Sequence, residues 1–339
     1  MKQKGEEKKY DYNKVIANAQ QLLKENTEWI DRFDGYAKVI HENKDFLSCR
    51  ENFHIEAPFQ CYTTVSDIKK TKSDLELSLR YMGQRVAILK ANSSEITIST
   101  EGFDANNKRD FECNITLNGV AWSSADAERF RSYFQNTLPQ RNPESKGNEE
   151  HYIESLLKMD FSESKGDNKL LKYLQPVLIK NIYFSMPTPL KASDHKELEY
   201  SGPNGGGVDI LARTDNGPHA RLTVIEVKDE NVKTEPPQAA LKQAIEYAVF
   251  LRELLRSKSG KEWWHIFGFG NEAVPDNLII RCACAMPDDD PDKSFEKVQY
   301  KISDDKGNDT IECHYIYFKM KDGMIDSIDS SLNRTAKNK

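Results

Sequence analysis

The stretch GGGVDILARTDNGPHARLTVIEVK, residues 205–228, decides how the rest of the chain is read. In its second half, strict alternation puts Leu222, Val224, Glu226 and Lys228 on one face and Thr223, Ile225 and Val227 on the other. The run is apolar on both faces until its last residues. That pattern predicts a central strand whose carboxyl end emerges into a cleft, because a buried acid and lysine are costly unless paired, liganded or wet. In the first half, VDILA is apolar except for Asp209, and Gly205, Gly206 and Gly207 ahead of it permit close approach of a backbone or a ligand. The 16 residues between Asp209 and Glu226 suit a hairpin turning through Thr214, Asp215, Asn216, Gly217 and Pro218. Adjacent antiparallel strands would then bring the two carboxylates within reach of one ion. Mg2+ favours a few carboxylate oxygens completed by water and phosphate oxygens.

Asp209 followed by Glu226-Val227-Lys228 resembles the PD-(D/E)xK nuclease superfamily, the restriction-endonuclease-like fold, over roughly residues 148–290. The resemblance implies that Asp209 and Glu226 hold Mg2+ or Mn2+, that the Val227 carbonyl adds a ligand, and that Lys228 orients or activates the attacking water. Val208 stands where the family name has proline, and many members share that departure. The acid-x-lysine triplet alone carries nothing, since it recurs in polar surroundings at Glu42, Glu163 and Asp194; only the copy at Glu226 ends an apolar strand. The bland alternative is a hairpin with a cross-strand ion pair.

The residues after this stretch extend the resemblance. PPQAALKQAIEYAVFLRELLRS, from Pro236, has proline in its first turn and an apolar stripe of Leu241, Ala244, Ile245, Ala248, Leu251 and Leu255, which predicts a helix. Gln243 and Tyr247 are neighbours on its surface and resemble the QxxxY element of RecB-like and Cas4-like exonuclease domains, where the pair positions nucleic acid or the metal-site acids. Read without the resemblance, Tyr247 is core and Gln243 is solvated. Upstream, EEHYIESLLKMDF predicts a helix with Ile153, Leu156, Leu157 and Phe161 inward. In the superfamily the helix before the core sheet carries a glutamate that reaches the metal site. Glu150 sits where that residue is found, with Glu154 as the alternate, although acids in a first turn are also favoured by the helix dipole.

The length of 339 residues predicts two domains. Residues 1–137 read as an α+β module: a helix through Val15, Ile16, Ala19, Leu22 and Leu23, a second through Trp29, Ile30, Phe33, Ala37 and Ile40, strands in DLELSLRYMGQRVAILKA, EITIST and FECNITL, and a helix capped at Ser123 or Ser124. Residues 138–148 gather proline, glycine and charge and read as a linker. Residues 149–329 form the nuclease-like domain, a mixed sheet flanked by helices, and 330–339 a disordered tail. Within the second domain, a helix is expected around Leu170 to Ile179, and WWHIFGFGN and LIIRCACAM read as one or two further strands. The fold class is therefore α/β.

The 48 basic and 54 acidic residues leave a net charge of −6, so DNA, or RNA in its place, must meet a local basic surface and a bound metal. The 6 cysteines form no CxxC pair and read as buried reduced thiols, which departs from the cluster-bearing Cas4-like branch. With no run of 18 apolar residues and a charged beginning, the chain is expected to be soluble, cytoplasmic and without a membrane partner. Three functions from different classes follow: a metal-dependent nuclease in defence or repair, a nuclease-fold module that binds nucleic acid or a protein without cutting, and an interaction protein whose active half is the amino-terminal module. That module recognises a substrate, binds a partner or joins copies into a homo-oligomer.

Overall fold

The computed structural model describes residues 10–43, 55, 58–70, 75–92, 95–100, 111, 113–135, 149–162, 170–171, 174–180, 182–193, 196–215, 217–228, 237–270, 273–288 and 298–332. They form an α/β protein built on two mixed sheets. The expected linker, 138–148, lies outside the described residues.

The first sheet is ordered β5-β4-β3-β2-β1-β8-β7. Its strands are β1 (Phe59–Thr63), β2 (Leu75–Tyr81), β3 (Gln84–Ala91), β4 (Ile96–Ser99), β5 (Val120–Ala121), β7 (Leu178–Ile179) and β8 (Ile182–Phe184). The β2–β3 hairpin turns at Met82 and Gly83, both with positive φ, as a tight primed turn requires. Strand β8 runs parallel to β1 with Tyr62 opposite Tyr183, so residues from both sides of 138–148 share this sheet. Residues 113–117, expected as a strand in FECNITL, are irregular; Thr100 still exchanges hydrogen bonds with Leu117 there.

The second sheet is ordered β14-β15-β13-β12-β11-β6, with β16 also on β15. It comprises β6 (Leu174–Pro176), β11 (Ile210–Thr214), β12 (Arg221–Val227), β13 (Ile279–Pro287), β14 (Val298–Asp304), β15 (Gly307–Lys321) and β16 (Met324–Ser330). Strands β12, β13 and β15 are parallel, while β11 and β6 continue antiparallel on one side and β14 and β16 cover the other. A short pair, β9 (Leu190–Lys191) with β10 (Glu199–Tyr200), stands apart.

Helices α1 (Tyr12–Glu25) and α2 (Glu28–Glu42) come first, then α3 (Val65–Lys70), α4 (Ala125–Gln135), α5 (Glu149–Ser162), α6 (Pro237–Leu255) and α7 (Gly260–Ile266). Asp11 caps α1 by accepting from the Asn13 and Lys14 amides, and the Ser124 hydroxyl accepts from the Ala127 amide ahead of α4. Helix α6 is buried around nearly its whole circumference rather than along one stripe, because α1 and α2 close the side turned away from the sheet. Trp29 and Phe33 of α2 meet Phe250 edge-on at 5.8 and 5.0 Å, and the Trp263 indole donates to the Phe33 carbonyl. The buried apolar residues therefore form one core running from α1 to β16.

Three expectations are corrected. Leu170 to Ile179 is not a helix: β6 and β7 lie there, and Pro176, which cannot donate a helical hydrogen bond, sits opposite Ala212 at the sheet edge. The WWHI segment is helical, forming α7, with both tryptophans packed inward. Ser330, Ser331 and Leu332 do not belong to a loose tail, since all three are buried and the Ser331 hydroxyl bonds Tyr315 and His314.

Candidate active site

The β11–β12 hairpin is the local product of the opening stretch. Its register pairs Ile210 with Ile225 and Thr214 with Arg221, and its turn places Asp215 and Gly217 at positive φ. One step beyond Ile210, at a bend just before β11, Asp209 lies against the end of β12 that carries Glu226. Asp209 Oδ2 accepts the Val227 amide at 2.9 Å, which fixes that carboxylate against the end of β12. The preceding glycines admit backbone: Gly206 and Val208 donate to the carbonyls of Leu190 and Met186, and a Cβ at Gly205 would stand 1.9 Å from the Thr188 carbonyl oxygen.

Lys228 is buried beside Glu226, its ammonium 3.3 Å from Glu226 Oε1 and 3.1 Å from Gln243 Oε1. Gln243 is therefore not solvated, as it faces the end of β12 from α6. Tyr247, one turn further, is buried with its hydroxyl over Gly206, so close that a Cβ there would lie 2.7 Å away. Burial raises its pKa, and the charges of Glu226 and Asp209 raise it further, which places the ring next to both acids.

Helix α5 supplies the other wall. Glu150 is exposed, yet its charge raises the pKa of both Asp209 and Glu226. Glu154, the alternate, is buried between the Lys158 ammonium and His151 Nδ1, the latter at 3.0 Å. Lys158 also donates to the Asp209 carbonyl at 3.1 Å and to the Tyr62 hydroxyl at 3.2 Å, and lies over the Tyr62 and Tyr183 rings of the first sheet. Neither Lys158 nor His151 was singled out from sequence. The signal available was their helical spacing around Glu154, at i−3 and i+4.

The carboxylates divide by charge balance. Burial pushes Asp209 up to about 7, with the charge of Glu154 adding and the Val227 amide opposing. Burial and then the charge of Asp209 drive Glu226 well above the carboxylate range, against the opposing pull of Lys228. Glu154 meets the same burial, but Lys158 and His151 outweigh it and hold it down at about 2. Two neighbouring acids with one ammonium, bonded to Glu226, leave negative charge unmet when both ionise. A divalent cation supplies what is missing, so the donor set fits one. Among the described residues no group of three or more His, Cys, Asp or Glu side chains is arranged to cage a metal. An ion here would take carboxylate oxygens from Asp209 and Glu226 and complete its shell with water and phosphate oxygens.

The class defined by this fold and site is an α/β protein with a buried acid–acid–lysine cluster at the carboxyl end of a central strand. Comparison of the chain with protein-family models, with curated proteins and with solved structures found no match. Among the described residues no helix is long and apolar enough to cross a membrane.

Proposed function

We propose that the chain is a metal-dependent nuclease of restriction-endonuclease-like fold that hydrolyses phosphodiester bonds in DNA. The observation that carries this reading is Asp209 held against the end of β12 by the Val227 amide, with Glu226 there and the Lys228 ammonium bonded to both Glu226 and Gln243. The surrounding order supports it: α5 before the sheet, an antiparallel β11–β12 pair, a parallel β12–β13 pair and α6 after β12.

Asp209 and Glu226 would hold Mg2+ or Mn2+, whose contribution when bound is Lewis acidity toward a phosphate oxygen and a water of lowered pKa. The protein's own groups do the rest. The Val227 amide keeps the Asp209 carboxylate turned toward Glu226. Gln243 accepts from Lys228, and an ammonium so restrained is placed to donate to a water or to charge developing on the phosphoryl group. Tyr247 closes the α6 side over Gly206. Glu150, exposed at the start of α5, would complete the ligands of a second ion.

Purified protein incubated with Mg2+ or Mn2+ and linear, circular, single- and double-stranded DNA and RNA tests the reading. Cleavage by the wild type that disappears in Lys228→Ala while Mn2+ affinity persists supports it. A wild type that cuts none of these with either ion overturns it. Mn2+ and nucleic-acid binding without cleavage would assign the chain to the binding-module reading.

A further inference from the structure

A second site lies at the opposite end of the β11–β12 hairpin. A cavity of about 310 Å3 opens there, lined among others by Gln175, Arg213, Arg221, Trp264, Gly268 and Phe269. That volume is at the lower end of what small-molecule sites enclose. Arg213 is four residues along β11 from Asp209, roughly 13 Å by strand rise, so the cavity is separate from the acid cluster.

Arg213 is what makes this cavity unusual within the molecule. Arg252, Arg256 and Arg281 each carry carboxylate partners: Asp304 and Asp309, Asp309, and Glu312 with Asp215. Among the described residues, the half-buried Arg213 guanidinium meets neutral acceptors, the Gly268 carbonyl and, at 3.1 Å, Gln175 Oε1. Burial lowers its pKa, with no carboxylate charge opposing. Asp215 lines the same cavity but is engaged by Arg281 at 2.9 Å. The seat is built for this side chain: Gly268 has φ +87°, and a Cβ there would stand 2.9 Å from Arg213 Nη1. Two hydrogen bonds to neutral acceptors leave donors of the planar fork unused and its charge uncompensated. Beside it, Trp264 and Phe269 stack at 3.7 Å and 10°, giving the cavity a flat aromatic wall. A second guanidinium, Arg221, lines it too.

We infer that this cavity binds a small anion carried on a planar ring, a phosphate or carboxylate seated at Arg213 with its ring against the Trp264–Phe269 wall. The anion supplies the charge that neutral acceptors do not, and bidentate recognition by a guanidinium suits both anions. The site does not depend on the nuclease reading.

Calorimetric titration of the full chain with metal chelated, using inorganic phosphate, adenosine 5′-monophosphate and benzoate separately, tests it. The expected result is sub-millimolar binding of the mononucleotide or of benzoate, at least tenfold tighter than phosphate alone; which of the two wins identifies the anion. Arg213→Gln should weaken that binding at least tenfold. If that variant does not fold, Arg221→Gln should weaken it at least threefold. Failure of all three probes to bind the wild type at millimolar concentration overturns the inference, as does unchanged binding in a folded Arg213→Gln, or in Arg221→Gln where it stands in.

Discussion

Two ionic clusters sit toward opposite ends of α6, and they differ in charge balance. Toward its carboxyl end, the Arg252 guanidinium joins Asp304, Asp309 and Glu253 at 2.7 Å each, Arg256 joins Asp309, and Lys306 joins Glu253 at 2.6 Å. Toward its amino end, the Lys228 ammonium bonds Glu226, and Asp209 adds a second carboxylate nearby. Hydrogen bonds from Arg252 lower the pKa of Asp304; burial acts upward on Asp309, yet Arg256 and Arg252 bring it below the usual range as well. Asp209 and Glu226 are displaced upward. Asp304 and Lys306 leave the carboxyl-end cluster partly open to solvent, whereas Glu226 and Lys228 are buried, so burial and charge balance together separate the two. A balanced cluster is a structural joint, whereas one held with charge unmet marks a place where a cation or a reacting group belongs.

The contrast breaks most visibly at Arg252. Replacing it with methionine leaves Asp304 and Asp309 short of their partner, and should cost about 3–5 kcal/mol, measured by urea unfolding at neutral pH. A loss below about 1 kcal/mol would show that the two clusters are energetically alike.

At the other end the large effect belongs to activity. If the chain cuts nucleic acid, Lys228→Ala should lower kcat about 10²–10³-fold. Glu226→Gln should abolish Mn2+-dependent cleavage while raising the thermal midpoint at pH 8 without metal, because it relieves the repulsion with Asp209 that Lys228 offsets only in part. A lowered midpoint would place Glu226 among the structural ion pairs.

The pH dependence of stability sharpens the same point. Asp209 holds its proton more tightly in the folded protein than in the unfolded chain, so its contribution is complete below the ordinary value of 3.8 and is lost as pH rises through about 7. Asp304 and Asp309 work the other way: their contribution stands above the ordinary range and is lost as pH falls below it. Melts from pH 3 to 9 with metal chelated should peak between these limits. Asp209→Asn should flatten the alkaline limb, and Mn2+ should recover the stability lost along it in the wild type.

The smallest effect is expected at Gln243. Alanine there frees the Lys228 ammonium without removing a charge, and should cost about tenfold in rate with Mn2+ affinity unchanged, read from kcat and a metal titration.

Much of the candidate site was legible because its geometry is local. Alternation along 222–228, a turn at 214–218 and an aspartate ahead of an apolar run are enough to bring Asp209 against the end of β12 that carries Glu226 once the hairpin closes. Gln243 was picked out by its resemblance to the QxxxY element, with helical spacing setting it beside Tyr247. The errors fell where pattern is ambiguous: a short apolar run such as WWHI has no period to tell strand from helix, and LLKYLQPVLI was read by its leucines although Pro176 argued for an edge strand.

By itself the sequence determined the hairpin, the face shared by Glu226 and Lys228, and the helix that follows, since backbone periodicity acts over a few residues. Tertiary structure alone decided which glutamate of α5 is buried, that Lys158 reaches the Asp209 carbonyl while lying over the Tyr62 and Tyr183 rings, and that Arg213 lines a cavity whose one described carboxylate, Asp215, is engaged by Arg281. Those outcomes depend on charge and desolvation among groups that meet only after both sheets have formed, and no spacing along the chain encodes the distance between them.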